Sequence, residues 1–298
     1  MKRHWVNFQN QKNESECSAS DKIRVLWSEY MIDILGIPQS DAEQRIEAEV
    51  DGTFHYGLLQ GLKALGWELS GAVVLDIGCG TGALASALSD YGARLIGIEP
   101  SLPWVKTARR RFEEKHRDNY LFLQGEGANI SLLDNSIDYV ISLQVLEHVP
   151  MESAKEIIRE IARVLKPGGR VYLSFENYLS FWEPHYRVRW FPYLPKSAGK
   201  LYLQLLGRDP SFFVDHIYYN SVIEIASACL ELGLVIDQWE LLENKLFNPN
   251  LVNSRLKRLI VKGLRYCPSK LQHKVIVIYT ERKKLFRTGF TLELTRTI

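Results

Sequence analysis

Three closely spaced glycines are the first feature of this sequence that could do chemistry. Gly78, Gly80 and Gly82 follow the apolar run 73–77, which predicts a buried strand ended by a tight turn. Because glycine has no Cβ, the backbone of such a turn can approach a ligand closely. The spacing is GxGxG, whereas the dinucleotide-binding fingerprint is GxGxxG. The turn therefore predicts a ligand-binding loop, and its glycines alone leave the ligand open.

Two carboxylates narrow the choice of ligand. Asp76 stands just before the glycines, and Glu99 ends the next predicted strand. A carboxylate at Asp76 would repel a pyrophosphate but suits a ligand with a positive end, such as S-adenosylmethionine, which carries an ammonium and a sulfonium group. Glu99 would face the crevice beyond the carboxyl ends of the strands, where it can accept hydrogen bonds from both ribose hydroxyls. The alternative for Glu99 is a solvated residue at a strand end.

The segments around this turn predict alternating strands and helices. Predicted strands lie at 73–77, 93–98, 120–124, 137–143 and 170–175, and predicted helices at 84–89, 102–115 and 153–165. Farther along, the pattern predicts a helix over 221–232, a strand over 234–242, a helix over 251–264 and a strand over 275–279. Such alternation is typical of an α/β fold with a doubly wound, mostly parallel sheet.

The chain divides into six predicted parts. They are a disordered tail (1–20), an N-terminal helical segment (21–70), a cofactor-binding core (71–175), an aromatic lid insertion after the fifth strand (176–220), the remainder of the sheet domain (221–282) and a C-terminal tail (283–298). Within the helical segment we predict helices over 21–35 and 40–65. Ser40 would cap the second of these helices, with Glu43 completing a capping box.

Four motifs carry a family resemblance. Residues 74–82 resemble the first motif of class I S-adenosylmethionine-dependent methyltransferases, which are Rossmann-like, here with a type-11-like core. The segments 96–101, 136–149 and 162–169 resemble later blocks of that family, in the family's order. The resemblance covers roughly residues 55–176 and implies S-adenosylmethionine as the cofactor.

The resemblance also implies a set of cofactor-binding residues. These are Asp76, Gly78, Cys79, Gly80, Glu99, Pro100, Glu126, Gly127 and Gln144. By this resemblance, the turn with its preceding aspartate would hold the amino-acid end of the cofactor, and Gln144 would line the pocket near it. Glu126 and Gly127 match the place where many relatives have Asp-Ala near the adenine, so the adenine contact departs from the usual pattern.

Histidines are the candidates for acid–base chemistry. Methyl transfer mainly needs alignment, but an oxygen nucleophile gains from a general base whose pKa lies near the working pH. His148 follows the fourth strand beside Glu147, and His185 and His216 lie in the lid, the latter beside Asp215. The alternatives are that the Glu-His pair packs structurally and that the lid histidines are ordinary loop residues. One Glu-His pair offers too few ligands for a metal, so no metal site is predicted.

The lid suggests a class of acceptor. Its aromatic residues could stack on sugar rings, and Arg187, Arg189 and Arg208 could bind phosphate. The run 183–209 resembles lids of methyltransferases encoded with bacterial surface-glycan enzymes. That resemblance implies a small-molecule or a lipid- or nucleotide-linked saccharide substrate. The alternative is a small aromatic core that serves the lid itself.

Composition limits the partners and the compartment. A net charge of +2 argues against a nucleic-acid partner, and four widely spaced cysteines predict neither a disulfide framework nor a zinc site. Without a visible signal peptide or a long apolar run, we expect a cytoplasmic protein. The basic amphipathic run 251–264 would dock on the sheet domain or contact an anionic membrane peripherally. The sequence does not predict the oligomeric state.

Together these features predict an enzyme, an O-methyltransferase acting on a sugar or glycan-type hydroxyl. A quinone or polyketide acceptor is the alternative within the same chemistry. A non-catalytic binding protein on the same fold and a nicotinamide-dependent dehydrogenase are the alternatives outside it.

Overall fold

A seven-stranded sheet forms the centre of the molecule. The computed structural model describes residues 17–178, 180–192, 194–218, 220–236, 268, 271 and 289–297. The sheet strands are β1 (Val73–Ile77), β2 (Arg94–Glu99), β3 (Tyr120–Gln124), β4 (Ile137–Leu143), β5 (Leu165–Glu176), β8 (Leu234–Ile236) and β9 (Gly289–Arg296). Their order is β3-β2-β1-β4-β5-β9-β8, in which β9 runs antiparallel to both β5 and β8, while the first five strands in this order pair in parallel. The predicted doubly wound, mostly parallel α/β fold is confirmed.

Helices flank this sheet. Among the described residues they are α1 (Ala19–Ser28), α2 (Gln39–Asp51), α3 (Tyr56–Ala64), α4 (Ala83–Ser89), α5 (Leu102–Glu114), α6 (Met151–Val164) and α9 (Val222–Glu231), while α7 (Lys196–Leu205) and α8 (Ser211–His216) lie in the lid. α6 shows why they pack, because its buried residues Ala154, Ile157, Ile158 and Ile161 recur at helical spacing on one face. Burying each such isoleucine stabilises the fold by roughly 1.5–3 kcal/mol. Among the described residues, every helix is too short or too polar to cross a lipid bilayer.

The N-terminal helices depart from their predicted form. α1 continues as a π-helical segment (Glu29–Ile34), close to the predicted end. The predicted helix over 40–65 is interrupted at Gly52, whose φ of 75° is left-handed and ends α2. The predicted Ser40 cap is wrong, because the helix begins at Gln39 after Pro38, and the Ser40 hydroxyl lies 3.5 Å from the neighbouring Asp41 carboxylate.

The C-terminal residues belong to the sheet. Residues 289–296 form β9, which pairs with β5 on one side and β8 on the other, so the prediction of a tail is wrong there. The alternation of half-buried Thr291, Glu293 and Thr295 with buried Leu292 and Leu294 was the signal for this strand. The predicted helix over 251–264, the predicted strand over 275–279 and positions 237–242 lie outside the described residues, as do residues 1–16.

The lid shares a hydrophobic core with the end of the first N-terminal helical stretch, which contributes Leu35. It follows β5 and contains the short strands β6 (Trp182–Glu183) and β7 (Val188–Arg189) as well as α7 and α8. Tyr178, Tyr186, Trp190 and Phe213 are each less than 5% exposed and form this core together with Leu203. These rings fill a core, as the alternative interpretation of the aromatic composition predicts, and that core also attaches the lid to the N-terminal segment.

Candidate functional site

The candidate site lies at the topological switch point of the sheet, where the strand order reverses. From β1 the chain proceeds toward β2 and β3 on one side of the sheet, whereas β4 and β5 lie on the other side. Ligands of open α/β sheets bind at such a point, beyond the carboxyl ends of the strands. Gly78 follows β1 with a φ of 77°, and a Cβ on it would overlap the Val145 side chain just after β4. The sequence-predicted glycine turn therefore closes tightly on the neighbouring strand end.

Asp76 is a buried carboxylate with an unused oxygen. It is 4% exposed, and within the described part of the chain its Oδ2 has no hydrogen-bond partner. Burial, with the nearby charges of Glu99 and Glu49, raises the pKa of Asp76 to about 7. A buried polar atom without a partner is costly, and a cationic ligand group would relieve that cost. The site thus fits the positively charged end of S-adenosylmethionine.

Glu99 is tied to the glycine turn. Its carboxylate accepts a hydrogen bond from the Gly80 amide at 3.2 Å and one from the Ser101 amide at 2.9 Å. Burial raises its pKa, while both hydrogen bonds act in the opposite direction. An ionised carboxylate accepts about four hydrogen bonds, so Glu99 retains capacity for ribose hydroxyls. The carbonyl of the following Pro100 accepts from Gln124 at 3.2 Å, which fixes this strand end.

Three other residues predicted to bind the cofactor, Cys79, Gly127 and Glu126, lie in different surroundings. The buried Cys79 directs its sulfur toward β2, where a Cβ on Gly97 would lie 2.7 Å from Sγ. Its side chain therefore packs between strands, and its backbone forms the turn. Gly127 lies against the end of β1, because a Cβ there would be 2.7 Å from Ile77 Cγ2. Glu126 is exposed, and its contact with adenine stays a prediction.

Aromatic side chains beside the turn were not predicted as site residues. A Cβ on Gly80 would lie 3.2 Å from the Trp104 ring of α5. Trp27 of α1 lies 5.4 Å from Trp104 between ring centroids, and its indole Nε1 donates to Thr81 at 3.5 Å. Tyr30 packs edge-on against Trp27 at 5.9 Å. The first helix thus covers the glycine turn. No local sequence pattern predicts these contacts.

The structure brings the three predicted histidines together around one phenylalanine. The ring centroids of His148, His185 and His216 lie 5.9, 5.6 and 5.3 Å from that of Phe212. His148 and His185 are themselves 5.3 Å apart. Phe212 also contacts Tyr30 at 5.8 Å, which connects this cluster to the aromatic residues over the turn. Phe212 is a site residue that sequence reasoning missed.

Two sets of hydrogen bonds explain why these histidines meet. The end of the lid is hydrogen-bonded to the loop after β4, because Asn220 donates to the carbonyls of Leu146 and Val149 at 2.5 and 2.8 Å. The Tyr218 amide also donates to the Glu147 carbonyl at 2.8 Å. The turn carrying His185 is organised by buried Glu183, which accepts from the Tyr186 amide at 2.6 Å.

Hydrogen bonding fixes the tautomer of His148. Its Nδ1 lies 2.9 Å from the His216 carbonyl, and since a carbonyl only accepts, Nδ1 carries the hydrogen and Nε2 the lone pair. Burial and the neighbouring His185 lower the pKa of His148 to about 3. Burial alone would lower the pKa of His185, but the hydrogen bond to Glu183 at 2.8 Å and the surrounding carboxylates raise it. Burial raises the pKa of Glu147 to about 8.

Gln144 contacts two carboxylates at the lid side of the site. It directly follows β4, with a φ of 56°, and is exposed. With its amide nitrogen facing the carboxylates, it donates to Glu147 at 2.8 Å and to Glu176 at 2.9 Å. Gln144 therefore orients two carboxylates at the lid side of the crevice, and its predicted place beside the cofactor stays a prediction.

Two of the three lid arginines contact the N-terminal helical segment. Arg187 pairs with Asp41 of α2 at 2.6 Å, and Arg208 donates to the Gly36 carbonyl at 3.4 Å. Both contacts join the lid to the N-terminal helices. The phosphate-binding role predicted from composition stays a prediction at all three arginines.

Comparison with known proteins agrees with this geometry. Residues 75–173 match a family described as the methyltransferase domain. These residues form an S-adenosylmethionine-dependent methyltransferase domain. The matched range runs from β1 to β5 and carries Asp76, Glu99 and the loop after β4, so the predicted enzyme class and cofactor are confirmed for this domain.

Curated relatives share part of their length with this chain. An uncharacterized methyltransferase of Mycobacteroides abscessus is 37% identical over 148 residues, which cover 50% of this chain and 56% of the relative. A ubiquinone biosynthesis O-methyltransferase of Xanthomonas oryzae pv. oryzae is 38% identical over 110 residues, 37% of this chain and 45% of the relative. The chain thus spans about half the length of the curated relatives it matches.

Solved structures share the fold. A putative sarcosine dimethylglycine methyltransferase from Galdieria sulphuraria superposes with a TM-score of 0.54 at 19% identity, covering 93% of this chain and 98% of that one. A Haemonchus contortus phosphoethanolamine N-methyltransferase 2, solved in complex with S-adenosyl-L-methionine, gives 0.50 at 18% identity, covering 80% and 52%. At these identities the likeness concerns the fold.

Proposed function

We propose that the protein transfers a methyl group from S-adenosylmethionine to a hydroxyl oxygen of a small acceptor. The observation that carries the proposal is the contact between the glycine turn and the loop after β4, which bears His148. Gly78 meets Val145, and His148 lies three residues beyond Val145. A cofactor at the turn and an acceptor beside the histidines would therefore lie next to each other.

At the cofactor end, the residues of the chain would bind the cofactor and orient its methyl group. When bound, S-adenosylmethionine supplies an activated methyl group on a sulfonium. Asp76 offers an unpartnered carboxylate oxygen to a positive group, and Glu99 offers its remaining lone pairs to hydroxyls. Gly78 and Gly80 have no Cβ, which lets the turn pack closely against Val145 and Trp104 beside the proposed pocket.

Arg45 of α2 is a further cofactor contact in this proposal. It pairs with Glu49 at 3.1 Å, while its Nε is buried with no hydrogen-bond partner among the described residues. Its guanidinium lies 5.4 Å from the Trp27 ring centroid, next to the covered turn. A planar cation at this position suits the carboxylate of the cofactor.

At the acceptor end, the histidines would position the hydroxyl and take its proton. His216 is half-buried and has the carboxylate of Asp215 as a neighbouring charge, so it is our candidate for the general base. Burial lowers its pKa, which keeps it neutral and able to accept a proton near pH 7. His148 and His185 would hold the acceptor beside it.

We place the acceptor among sugar-type hydroxyl compounds. Two lid rings support this proposal, because Phe181 and Trp182 are 58% and 42% exposed and could stack on the apolar face of a sugar. A phenolic or quinol hydroxyl is the second candidate. It is favoured by the rings of Tyr30 and Phe212 in the site and by the relatives named ubiquinone biosynthesis O-methyltransferase.

Product mass after incubation tests the proposal. The protein is mixed with S-adenosylmethionine and separate panels of sugar nucleotides, glycolipids and quinol compounds, and each product is examined for the gain of one methyl group. We expect methylation within the sugar panels, and His216→Ala should lower turnover at least tenfold while cofactor affinity is kept. Methylation confined to quinols would favour the second candidate. Cofactor binding without methylation of any hydroxyl compound would contradict the proposed reaction.

A further inference from the structure

A cluster of metal-ligand side chains lies at the acceptor end of the site. Glu147, His148 and His185 each offer one ligand atom, and these atoms all lie within 4.8 Å of one another. The sequence shows only the adjacent Glu-His pair, which is too small a set for a metal. The lid supplies the third ligand, because the turn between β6 and β7 places His185 against that pair.

Both histidines are held as metal-bound imidazoles usually are. Imidazoles that ligate a metal commonly donate their other ring N–H to a carboxylate or a backbone carbonyl, which fixes the ring and the tautomer. His148 Nδ1 lies 2.9 Å from the His216 carbonyl, and His185 Nδ1 lies 2.8 Å from a Glu183 carboxylate oxygen. The Nε2 atom of each ring is therefore the one available to a ligand.

Glu147 has an oxygen in need of a partner. Its Oε1 accepts from the Glu176 amide at 3.2 Å, whereas its Oε2 has no hydrogen-bond partner in the described residues although the side chain is 0% exposed. Leaving such an oxygen unpaired in the interior is unfavourable, and more so if the carboxylate is charged. This orphaned oxygen is independent evidence that the cluster is built for a ligand.

The charge around the cluster favours a cation. Glu147, Glu176 and Glu183 all act on His185 as nearby negative charges. Glu176 also has a buried oxygen, Oε2, that lacks a partner within the described ranges. Buried carboxylates are stable when they are paired or coordinate a metal, so a divalent ion would offset this negative charge.

We propose that Glu147, His148 and His185 bind one divalent transition-metal ion. Two imidazoles and one carboxylate form a zinc-type set that leaves a position open, whereas magnesium prefers oxygen ligands alone. The open position would hold the acceptor oxygen and align it with the methyl group. This last role rests on the proposed methyl transfer, while the binding of the ion does not.

Metal titration of the full chain tests the proposal. The protein is stripped with a chelator, checked by elemental analysis, and titrated by calorimetry with Zn²⁺ and separately with Mg²⁺. We expect one Zn²⁺ per chain and much weaker Mg²⁺ binding. Glu147→Gln and His185→Asn should each weaken Zn²⁺ binding at least tenfold, which is about 1.4 kcal/mol. His116→Asn, at an exposed histidine, is the matched control and should leave Zn²⁺ binding unchanged.

Titration of the same samples with S-adenosylmethionine separates the two proposals. Stripped protein that binds the cofactor but not Zn²⁺ would overturn the metal site and leave the methyltransferase function standing. Equal Zn²⁺ affinity in the wild type and in folded Glu147→Gln and His185→Asn variants would also overturn it. Protein that binds Zn²⁺ but not the cofactor would contradict the proposed function alone. If His185→Asn does not fold, the near-isosteric Glu147→Gln decides the outcome.

Discussion

The cofactor end and the acceptor end of this site are built in different ways. The proposed cofactor end rests mainly on residues near one another in the chain, from Asp76 to Glu99, which two adjacent parallel strands position, and Arg45 of α2 is the one distant addition in our proposal. The acceptor end combines Tyr30, the loop after β4, the turn around Glu183 and α8, which are widely separated in sequence. Site residues can be predicted from the sequence where the ends of neighbouring strands form the site. They are much harder to predict where loops and a lid come together by tertiary contact.

The largest expected effect comes from Gly78 at the cofactor end. In Gly78→Ala, a left-handed φ of 77° costs about 1–2 kcal/mol, and the overlap with Val145 adds about 1–3 kcal/mol. Denaturant unfolding should show the combined loss of stability. Calorimetry should show cofactor affinity reduced roughly a hundredfold, equivalent to about 2.8 kcal/mol.

Gly168 supplies the matched control. Its φ of 75° is nearly the same, but a Cβ there meets no atom of the described residues within 4 Å. Gly168→Ala should therefore lose only the conformational part, about 1–2 kcal/mol, and keep cofactor affinity. Equal losses of stability and affinity in both variants would show that the close approach to Val145 has no part in binding.

Phe212 at the acceptor end should show a smaller effect that spares the cofactor. Phe212→Ala removes the ring that contacts all three histidines, so turnover should fall at least tenfold through lost alignment. Cofactor affinity should stay within about twofold, since among the described residues the ring is linked to the turn through Tyr30 and not by direct contact. Phe191→Ala, at a lid ring 58% exposed, is the control and should keep turnover. A loss of cofactor affinity equal to the loss of turnover would mean that the two ends are not separate.

The same division explains what the sequence predicted. The central strands, the glycine turn, Asp76 and Glu99 follow from local apolar runs and spacing, and the structure places them together. The Ser40 cap failed because Pro38 sets the start of α2. Phe212 and Tyr30 gave no signal, because an aromatic residue on a short helix looks the same whether it lines a site or fills a core.

The lid attachment should show the smallest effect. Arg187 and Asp41 form an ion pair at 2.6 Å, but both side chains are about half exposed. Such pairs contribute about 0–1 kcal/mol because solvent screens them. Arg187→Ala should change the free energy of unfolding by less than about 1 kcal/mol and leave turnover nearly unchanged. A loss of several kcal/mol would show that this contact is essential for holding the lid.

The pH dependence of cofactor binding tests the central claim most directly. The pKa of Asp76 is raised to about 7 by burial and by Glu99 and Glu49, so the free carboxyl is mostly protonated at pH 6 and mostly ionised at pH 8. A cationic cofactor prefers the ionised form, and its affinity should therefore rise about tenfold between these two pH values.

Calorimetric titration with S-adenosylmethionine at both pH values is the decisive measurement. Wild-type protein and the exposed control Asp118→Asn should gain about tenfold in affinity, whereas Asp76→Asn should bind weakly and with no such gain. Equal affinities in the wild type and in Asp76→Asn at both pH values would contradict the placement of the cofactor at the glycine turn.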